Sequence, residues 1–298
     1  MDGVIVVDKP EGWTSHDVVG KVRGIVGGRG RAKTKVGHLG TLDPIATGVL
    51  PLVIGRATRL AQFYTRSDKI YEGTVRFGWA TTTYDRAGEP LGEPREFRID
   101  PGELERHLGK FRGKILQTPP AVSAKKVDGR RAYELARKDI AVELDPVQIE
   151  VYELTVLTAD GAEARLRAHC SGGTYMRSIA HDLGQSLGCG GHIAELRRIA
   201  SGEFEIAQAR TIAQLESLAA GGRLIEAVVP AAAMLPGFPT VFVDDIAVAD
   251  IRQGRNFAAS PFRSQPSAKY VKAVSNQGEL VAVGDAVLPN IYHPLVVL

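Results

Sequence analysis

The sequence predicts an α+β protein with a mixed sheet and flanking helices, followed by a small β-rich domain. Segments with the two-residue period of strands are interspersed with segments of helical period, and no regular βαβ rhythm links them. A Pro- and Gly-containing stretch at residues 235–239 then precedes short strand-like segments with turn signals. We therefore predict a large domain over residues 1–234 and a small one over residues 235–298.

Composition narrows the class of protein further. The chain has 298 residues, of which 44% are hydrophobic and 24% charged, as in ordinary globular proteins. It has no run of eighteen apolar residues and no basic leader at its start, so we expect a cytoplasmic protein without a membrane segment. Cys170 and Cys189 are too few for a disulfide framework and form no C-x-x-C pair. We expect free thiols and no metal site.

In the first third of the chain, strands and helices follow one another at short intervals. Residues 3–7 predict a buried strand, and Thr14 or Ser15 can cap a helix that continues to about Ile25. Gly and basic residues dominate residues 27–40, which predicts a long exposed loop. The remaining elements predicted here are a buried strand at 49–54, a short helix at 57–64 and a half-buried strand at 70–80.

The rest of the large domain continues the same mixture. Helical spacing occurs at residues 101–108 and 130–138, and strands are predicted at 147–157 and 162–170. Gly172, Gly173 and Thr174 then open a helix from Tyr175 to about Leu187, which glycines at 188 and 190 end.

Basic residues are concentrated in two parts of the chain, although the net charge is only +3. Residues 18–42 contain six basic residues and no acidic one, whereas residues 109–138 contain nine basic residues and two acidic ones. Charge segregated in this way indicates either a polyanionic partner or two solvated faces of helices and loops. Charge alone favours neither interpretation.

One segment joins the basic loop to a buried strand, and its sequence over residues 37–51 is GHLGTLDPIATGVLP. Asp43 precedes Pro44, which biases Asp43 toward an extended backbone, and the glycines on both sides allow a ligand to approach the main chain. Such a segment presents a carboxylate at a strand edge. Most Asp-Pro pairs nevertheless only cap a turn, so this segment by itself does not establish a site.

Several segments resemble, in the same order, motifs of the TruB family of pseudouridine synthases. Residues 37–51 meet every fixed position of that family's catalytic pattern, G-H-x-G-x-L-D-P-x-A-x-G, and DKPEGWTS at residues 8–15 is similar to its opening. Further similar segments lie at residues 69–71, 117–129, 170–177 and 196–198. The resemblance implies the pseudouridine synthase core, a mixed and largely antiparallel sheet flanked by helices. The segment from residue 235 weakly resembles the PUA domain, an RNA-binding module.

The resemblance also implies a set of site residues. Asp43 would be the catalytic aspartate, Tyr71 the ring that packs on the target base, and Arg177 the partner of Asp43. The residues implied to bind the substrate are His38 at the pocket mouth, Tyr175 and Leu196 on the flipped base, Lys9 and Pro10 in the pocket lining, and Asp85 as an available partner of His38. The resemblance implies no cofactor and no metal.

The chemistry of uridine isomerisation agrees with these residue types. The reaction breaks the C1'–N1 bond, turns the uracil and bonds C1' to C5 without redox change or hydrolysis. An ionised carboxylate can attack carbon or remove a sugar proton, and the sequence leaves these routes open. A guanidinium beside Asp43 would form a charge-assisted pair that fixes the orientation of the carboxylate, which lysine would do poorly.

The substrate implied by the resemblance is the uridine at position 55 in the T loop of transfer RNA. A stacked base cannot reach a carboxylate, so it must be flipped out at the cost of a few kcal/mol, and phosphate contacts would offset that cost. We expect a basic mobile segment around residues 109–146 and a monomeric enzyme. The residues expected to contact the RNA backbone are Lys21, Arg31, Lys33, Lys35, Lys125, Lys126, Arg130 and Arg131.

Two other classes of function would also fit parts of this sequence. A hydrolase or phosphatase with an aspartate nucleophile would need a D-x-D pair or a magnesium cluster, and neither accompanies Asp43. A transfer-RNA binding factor without chemistry would need the basic surface but not Asp43. Phosphate-binding and dinucleotide-binding glycine motifs are absent from the sequence, which argues against a nucleotide cofactor.

The sequence departs from the TruB family at two positions. Val122 stands where family members often have Tyr, and Thr82 stands where an Asp is common.

Overall fold

The computed structural model describes residues 1–27, 34–123, 126–127, 130–131, 144–259 and 268–298, with only the main chain at 126–127 and 130–131. The strands of this part are β1 Gly3–Lys9, β2 Val36–His38, β3 Ala46–Ile54, β4 Lys69–Phe77, β5 Ala80–Thr81, β6 Pro90–Leu91, β7 Gly113–Gln117, β8 Lys126–Val127, β9 Arg130–Arg131, β10 Val147–Asp160, β11 Glu163–Cys170, β12 Gly191–Ser201, β13 Phe204–Glu205, β14 Val228–Pro230, β15 Thr240–Val243, β16 Phe257–Ala258, β17 Tyr270–Ser275, β18 Leu280–Leu288 and β19 Ile291–Val297. The α-helices are α1 Ser15–Gly27, α2 Pro101–Leu108, α3 Met176–Ser186, α4 Ile212–Ala220 and α5 Asp245–Arg252. The 3-10 helices are Gly55–Tyr64, Gly109–Phe111, Ile206–Gln208, Leu224–Ala227 and Ala231–Ala233.

The large sheet has ten strands in the described ranges, and its main path runs β14-β1-β3-β12-β4-β11-β10-β7. Within it, β3 and β12 pair in parallel, and the other neighbours on this path pair antiparallel. This arrangement confirms the predicted mixed, largely antiparallel sheet flanked by helices. The parallel pair aligns Leu196 with Ala46, three positions after Asp43, and therefore brings the motif near residue 43 to the 196–198 segment.

The two faces of the large sheet are covered differently. Ile5 and Val7 on β1 belong to the core between the sheet and its helices, which also includes the apolar face of α1 and the residues of α3 that point at the sheet. Val4 and Val6, on the opposite face of the same strand, pack into a second core that includes Tyr64 and parts of the C-terminal sheet. Strands β1 and β3 are therefore apolar on both faces, as strands covered on both sides must be.

A second sheet follows with the strand order β15-β17-β18-β19-β16. Its own core contains Val241, Ile251 and Tyr292. Lys272 on β17 is 5% exposed, and its ammonium donates to the carbonyls of Ala232 (3.0 Å) and Met234 (2.9 Å) in the segment that connects the sheets. No helix among the described residues is both long and apolar enough to cross a membrane.

Several predicted elements need correction. Residues 36–38 of the predicted exposed loop form strand β2, because their main chain pairs with β3 and Val36 is buried. Residues 57–64 lie in a 3-10 helix, and the strand predicted to reach residue 80 ends at Phe77, before Gly78 with φ of +109°. Helix α5 was missed within the β-rich segment, although Asp244 caps it by accepting from the Ala247 N–H. The helix predicted at 130–138 lies largely outside the described residues.

Candidate active site

A cavity of about 510 Å³ opens where the loop before β3, the face of β4 and the start of α3 meet. The segment 38–43 forms one side of this cavity, and residues 173–177 form another. The other residues in its lining are Ala61, Gln62, Tyr64, Thr65, Lys69, Tyr71, Ser123, Leu196 and Arg198. The motif around Asp43 therefore borders a site large enough for a nucleoside.

Asp43 and Arg177 form a two-pronged ion pair in this cavity. Arg177 Nε donates to Asp43 Oδ2 at 2.9 Å, and Nη2 donates to Oδ1 at 3.2 Å. The Arg177 side chain is almost fully buried, whereas the Asp43 carboxylate remains partly exposed to the cavity. A bidentate pair of this kind fixes the plane of the carboxylate as well as its position.

The guanidinium of Arg177 is itself held by carbonyls of two other segments. Nη1 donates to the Thr83 carbonyl at 3.0 Å, and Nη2 donates to the Val122 carbonyl at 2.9 Å. Asp85 adds negative charge, with its Oδ2 3.7 Å from Nη1. Each contact uses a different N–H direction of the planar group, so a lysine could not reproduce the arrangement.

The start of α3 has an unusual cap. Tyr175 occupies the N-cap position without a side-chain cap of its own. Gln117, at the end of β7, instead clamps the main chain of Tyr175 by accepting from its N–H at 2.8 Å and donating to its carbonyl at 3.0 Å. One turn later Ser178 Oγ donates to the Thr118 carbonyl at 2.8 Å. The segment 117–122 is thus tied to the first turn of the helix that carries Arg177.

The loop that carries Asp43 is anchored on both sides by buried polar side chains. Ser15 Oγ accepts from the Leu42 N–H at 2.8 Å and donates to the Leu42 carbonyl at 3.2 Å. Lys9 donates to the Pro44 carbonyl at 3.3 Å. From the other side Arg198 donates to the carbonyls of Thr41 (3.2 Å) and Gly40 (3.1 Å). These bonds satisfy the main chain of a loop that has no strand partner.

Tyr71 lies on the buried face of β4 and contributes its ring to the cavity wall. Burial raises the pKa of the Tyr71 hydroxyl, and the charge of Arg198 opposes that rise. The hydroxyl therefore stays neutral and its ring offers a flat apolar surface beside Asp43.

The structure brings most of the predicted site residues together. His38, Tyr175 and Leu196 line the cavity with Asp43, Tyr71 and Arg177. Of the other residues predicted to bind substrate, Lys9, Pro10 and Asp85 form no part of that lining in the described chain. Lys9 instead donates to the Pro44 carbonyl in the loop that carries Asp43. Asp85 accepts hydrogen bonds from the Thr83 hydroxyl (2.6 Å) and the Ala87 N–H (3.0 Å). Asp85 also lies 3.7 Å from Arg177, which lines the cavity.

Few of the residues predicted to contact the RNA backbone have described side chains. Lys21 forms an exposed ion pair with Glu216 at 2.5 Å, and Lys35 is exposed beside β2. Arg31, Lys33 and Lys125 lie outside the described residues, as do the side chains of Lys126, Arg130 and Arg131, whose main chain forms the β8–β9 pair. Their predicted role stays a prediction.

Sequence reasoning missed Lys69, Arg198 and Gln117. Each belongs to a segment that resembles the family, but nothing in the local sequence shows that its side chain would be buried at the cavity or turned toward a loop. The partners of Arg198 and Gln117 are distant in the chain, since the contacts of Arg198 with Thr41 and Gly40 span 157 and 158 positions and those of Gln117 with Tyr175 span 58. Among the described residues, no group of three or more His, Cys, Asp or Glu side chains is placed to hold a metal ion.

The arrangement of Asp43, Arg177 and Tyr71 suits a reaction at a carbon atom of a substrate whose planar ring packs on Tyr71. An ionised carboxylate, held by a buried guanidinium and partly open to a cavity, can act as a nucleophile or as a base. The Tyr71 ring and Leu196 supply apolar surfaces that a planar heterocycle can contact.

Comparison with known proteins identifies the family. A family model described as TruB family pseudouridylate synthase (N terminal domain) matches residues 29–176, and one described as tRNA pseudouridylate synthase B C-terminal domain matches residues 177–235. The tRNA pseudouridine synthase B of Solibacter usitatus is 71% identical over 100% of both chains. The chain belongs to the TruB family. It is therefore a pseudouridine synthase, an isomerase.

Other relatives and solved structures agree with membership of the TruB family. The tRNA pseudouridine synthase B of Aquifex aeolicus is 43% identical over 86% of both chains, and that of Stutzerimonas stutzeri is 39% identical over 96% of this chain and 92% of its own. A chain of a Cbf5-Nop10-Gar1 complex aligns with a TM-score of 0.71 at 28% identity, over 97% of this chain and 79% of its own. A chain of an H/ACA RNP bound to a substrate RNA containing 2'-deoxyuridine also reaches 0.71, at 26% identity, over 99% and 84%.

Proposed function

We propose that this protein converts uridine to pseudouridine at position 55 in the T loop of transfer RNA, with Asp43 as the catalytic carboxylate. The observation that carries the proposal is the Asp43–Arg177 pair, which presents a carboxylate of fixed orientation to a cavity beside Tyr71. The substrate class is supported by the relatives, which are named tRNA pseudouridine synthase B. The position in the T loop is supported by the match of residues 37–51 to the family's catalytic pattern.

The chemical steps require groups that this cavity holds. Asp43 attacks carbon or removes a sugar proton, the C1'–N1 bond breaks, and the uracil turns within the cavity. A bond then forms between C1' and C5, the C5 proton leaves, and N1 takes up a proton, so the product is an isomer of the substrate. Tyr71 and Leu196 hold the planar ring during the turn, while Arg177 keeps the Asp43 carboxylate directed at the ribose.

Base flipping is part of the proposal, and the position of Asp43 within a concave site supports it. A base that is stacked in a folded loop cannot reach the carboxylate, so the target uridine must leave the stack, at a cost of a few kcal/mol. In this proposal Tyr175 contacts the extruded base, and His38 lies under the RNA at the mouth of the cavity. Basic residues of the 18–42 and 109–138 segments supply the phosphate contacts that offset the cost of extrusion.

We further propose that residues 235–298 form a separate PUA-like domain that assists RNA binding. The C-terminal sheet has its own core, which supports the division at residue 235. The segment from residue 240 carries five basic and five acidic side chains, so a contribution to RNA binding would come from shape and hydrogen bonds more than from net charge.

The substrate assignment is tested with transfer RNA transcribed with [5-³H]uridine. Isomerisation replaces the C5–H bond with a bond to C1', so each turnover releases one tritium into water. We expect release of about one equivalent per RNA, and no release when the uridine at position 55 is replaced by cytidine. Release that persists with this cytidine transcript would contradict the assignment to position 55, and no release from either RNA would contradict the activity on transfer RNA.

A further inference from the structure

Two buried cations lie side by side on the cavity wall and have neutral partners. Arg198 is 1% exposed and donates to the carbonyls of Val49 (2.7 Å), Thr41 and Gly40. Lys69 is 7% exposed, and its ammonium donates to the carbonyl of Ser67. Within the described ranges no carboxylate forms a salt bridge with either side chain.

The closeness of two positive charges, Lys69 and Arg198, is unfavourable in the free protein. Burial and the nearby charge of Arg198 lower the pKa of Lys69 to about 8, the first being the larger cause. Placing like charges together in a poorly solvated site costs free energy unless an anion compensates them. An anionic group bound in the cavity would supply that compensation.

The position of the two cations indicates which part of the substrate they meet. Lys69 and Tyr71 lie two positions apart on the same face of β4, and the positive charge of Arg198 lowers the pKa of the Tyr71 hydroxyl against the effect of burial. A Cβ atom on Gly40 would lie 3.7 Å from Arg198 Nη1 and 3.8 Å from Lys69 Cε, so both side chains reach the loop that leads to Asp43. A uracil resting on Tyr71 with its ribose at Asp43 therefore has an edge beside this wall.

The ring becomes negatively charged in every route open to Asp43. When the C1'–N1 bond breaks, its electron pair stays on the uracil and spreads over N1, O2 and O4. When a nucleophile adds to C6, the negative charge moves to O4. The ring loses this charge when C5 forms its bond to C1', and loss of the C5 proton is then balanced by protonation of N1. A nearby cation therefore stabilises the anionic intermediate more than the neutral substrate.

We propose that Lys69, supported by Arg198, stabilises the negative charge on the uracil ring during isomerisation. The proposal rests on the function proposed above and assigns Lys69 as a further catalytic residue. It explains why two cations are kept in a buried wall without a carboxylate partner: their charge is matched only while the ring is anionic.

The test replaces Lys69 by methionine, which keeps the length of the side chain and removes its charge. The matched control is Lys272→Met, because Lys272 is also a buried lysine that donates to main-chain carbonyls but lies in the C-terminal sheet. For Lys69→Met we expect a single-turnover rate lower by about a hundredfold, an unchanged Kd for transfer RNA and a Tm equal to or above that of wild type. Lys272→Met should keep the wild-type rate.

A second substrate separates charge stabilisation from other roles. Fluorine at C5 withdraws electrons and makes the uracil anion more stable, so consumption of 5-fluorouridine at position 55 should depend less on Lys69. We expect the ratio of wild-type to Lys69→Met rates to be several times smaller with 5-fluorouridine than with uridine, and Lys69→Arg to recover part of the lost rate. An equal ratio for the two substrates would overturn the proposal.

Four other outcomes distinguish a failure of the role proposed for Lys69 from a failure of the proposed function. Wild-type rate in Lys69→Met would overturn the role of Lys69 and leave the proposed function intact, whereas no product from the wild-type enzyme would overturn the proposed function. Weaker RNA binding at an unchanged rate would assign Lys69 to a phosphate and contradict its role on the ring. Loss of rate together with a lowered Tm would indicate a structural lysine and would also contradict it.

Discussion

At the scale of single residues, the site depends on how side chains distant in sequence orient one carboxylate. Asp43 is held by two hydrogen bonds from Arg177, and its loop is held by Ser15, Lys9 and Arg198. None of these anchors belongs to the segment 37–51. In the proposed function, the segment 37–51 therefore supplies the reactive group, while the rest of the domain supplies its geometry.

The geometry of the ion pair predicts the effect of Arg177→Lys. Lysine keeps the positive charge but cannot donate to both carboxylate oxygens and to the Thr83 and Val122 carbonyls at once. We expect the single-turnover rate to fall by about 10²-fold, the scale that a small misplacement of a reacting group costs. The Kd for transfer RNA should stay close to wild type in a filter-binding assay. A rate within threefold of wild type would show that the charge alone suffices.

The lowered pKa of Lys69 predicts a pH dependence of the reaction. Burial, and after it the charge of Arg198, lower the pKa of Lys69, while the Asp68 carboxylate and the Cys170 thiol oppose that effect. Because the folded pKa is about 8, the free enzyme loses this positive charge as pH rises through 8. We expect kcat/KM to decline above about pH 8 in wild type and to stay level in Lys69→Arg, which remains charged. Identical profiles for the two proteins would contradict the assignment.

At the scale of elements, the position of Arg177 is determined by the link between β7 and α3. Gln117 at the end of β7 clamps the main chain of Tyr175, and Ser178 bonds the Thr118 carbonyl. The basic segment that begins after β7 is thereby connected to the helix that carries Arg177.

Gln117→Glu is expected to weaken the link between β7 and α3 while leaving the size of the side chain almost unchanged. Glutamate can still accept from the Tyr175 N–H, but it loses the N–H that donates to the Tyr175 carbonyl and brings two acceptors together. We expect kcat to fall by at least tenfold with little change in KM, because the clamp acts through Arg177 and Tyr175. The control is Gln208→Glu at a 3-10 helix cap, a residue outside the cavity lining, which should leave kcat unchanged. A change confined to KM would place Gln117 in RNA binding instead.

Close packing between elements predicts the effect of Gly48→Ala. Gly48 has φ of +98°, and a Cβ atom there would collide with the main chain of Arg198 on the adjacent strand. Gly92, with φ of +86°, has no atom within 4 Å of such a Cβ. We expect Gly48→Ala to lower the free energy of unfolding by clearly more than about 1 kcal/mol in urea titration, and by more than Gly92→Ala does. Equal losses of stability in the two variants would mean that the positive φ, and not the collision with Arg198, determines the loss.

The same scale shows what sequence can and cannot predict. The strands at β1, β4, β10 and β11 and the helix α2 were predicted because apolar periodicity is a local signal. Strand β2 was missed because it has only three residues and exists through pairing with β3. The candidate site was predicted at Asp43, Tyr71 and Arg177 from family motifs, whereas Arg198 and Gln117 act through contacts that no local pattern encodes.

At the scale of the whole molecule, the C-terminal sheet is joined to the large sheet by a shared apolar core. Val4 and Val6 of β1 and Leu280 of β18 belong to the same cluster. Lys272 adds hydrogen bonds to the connecting segment. The C-terminal residues therefore stabilise the sheet that carries the Asp43 loop.

The distribution of basic residues predicts a strong salt dependence of RNA binding. Each phosphate neutralised by Lys or Arg releases counterions, which contributes roughly −0.7 to −0.9 to the slope of log K against log salt. We expect binding of transfer RNA to weaken steeply between 50 and 200 mM salt, and a double variant, Arg130→Ala with Arg131→Ala, to lessen the slope while leaving the Tm unchanged. A slope near zero in wild type would remove the proposed phosphate contacts.

The most direct test of the central claim compares wild type with Asp43→Asn in single-turnover formation of pseudouridine on unmodified transfer RNA. Asparagine keeps the shape of the side chain and removes its charge, and Asp250→Asn is a control for the same change at an exposed ion pair. We predict product at position 55 with wild type and Asp250→Asn, and a rate about 10⁴-fold lower with Asp43→Asn at unchanged RNA affinity. Pseudouridine formation by Asp43→Asn at the wild-type rate would contradict the assignment of Asp43 as the catalytic group.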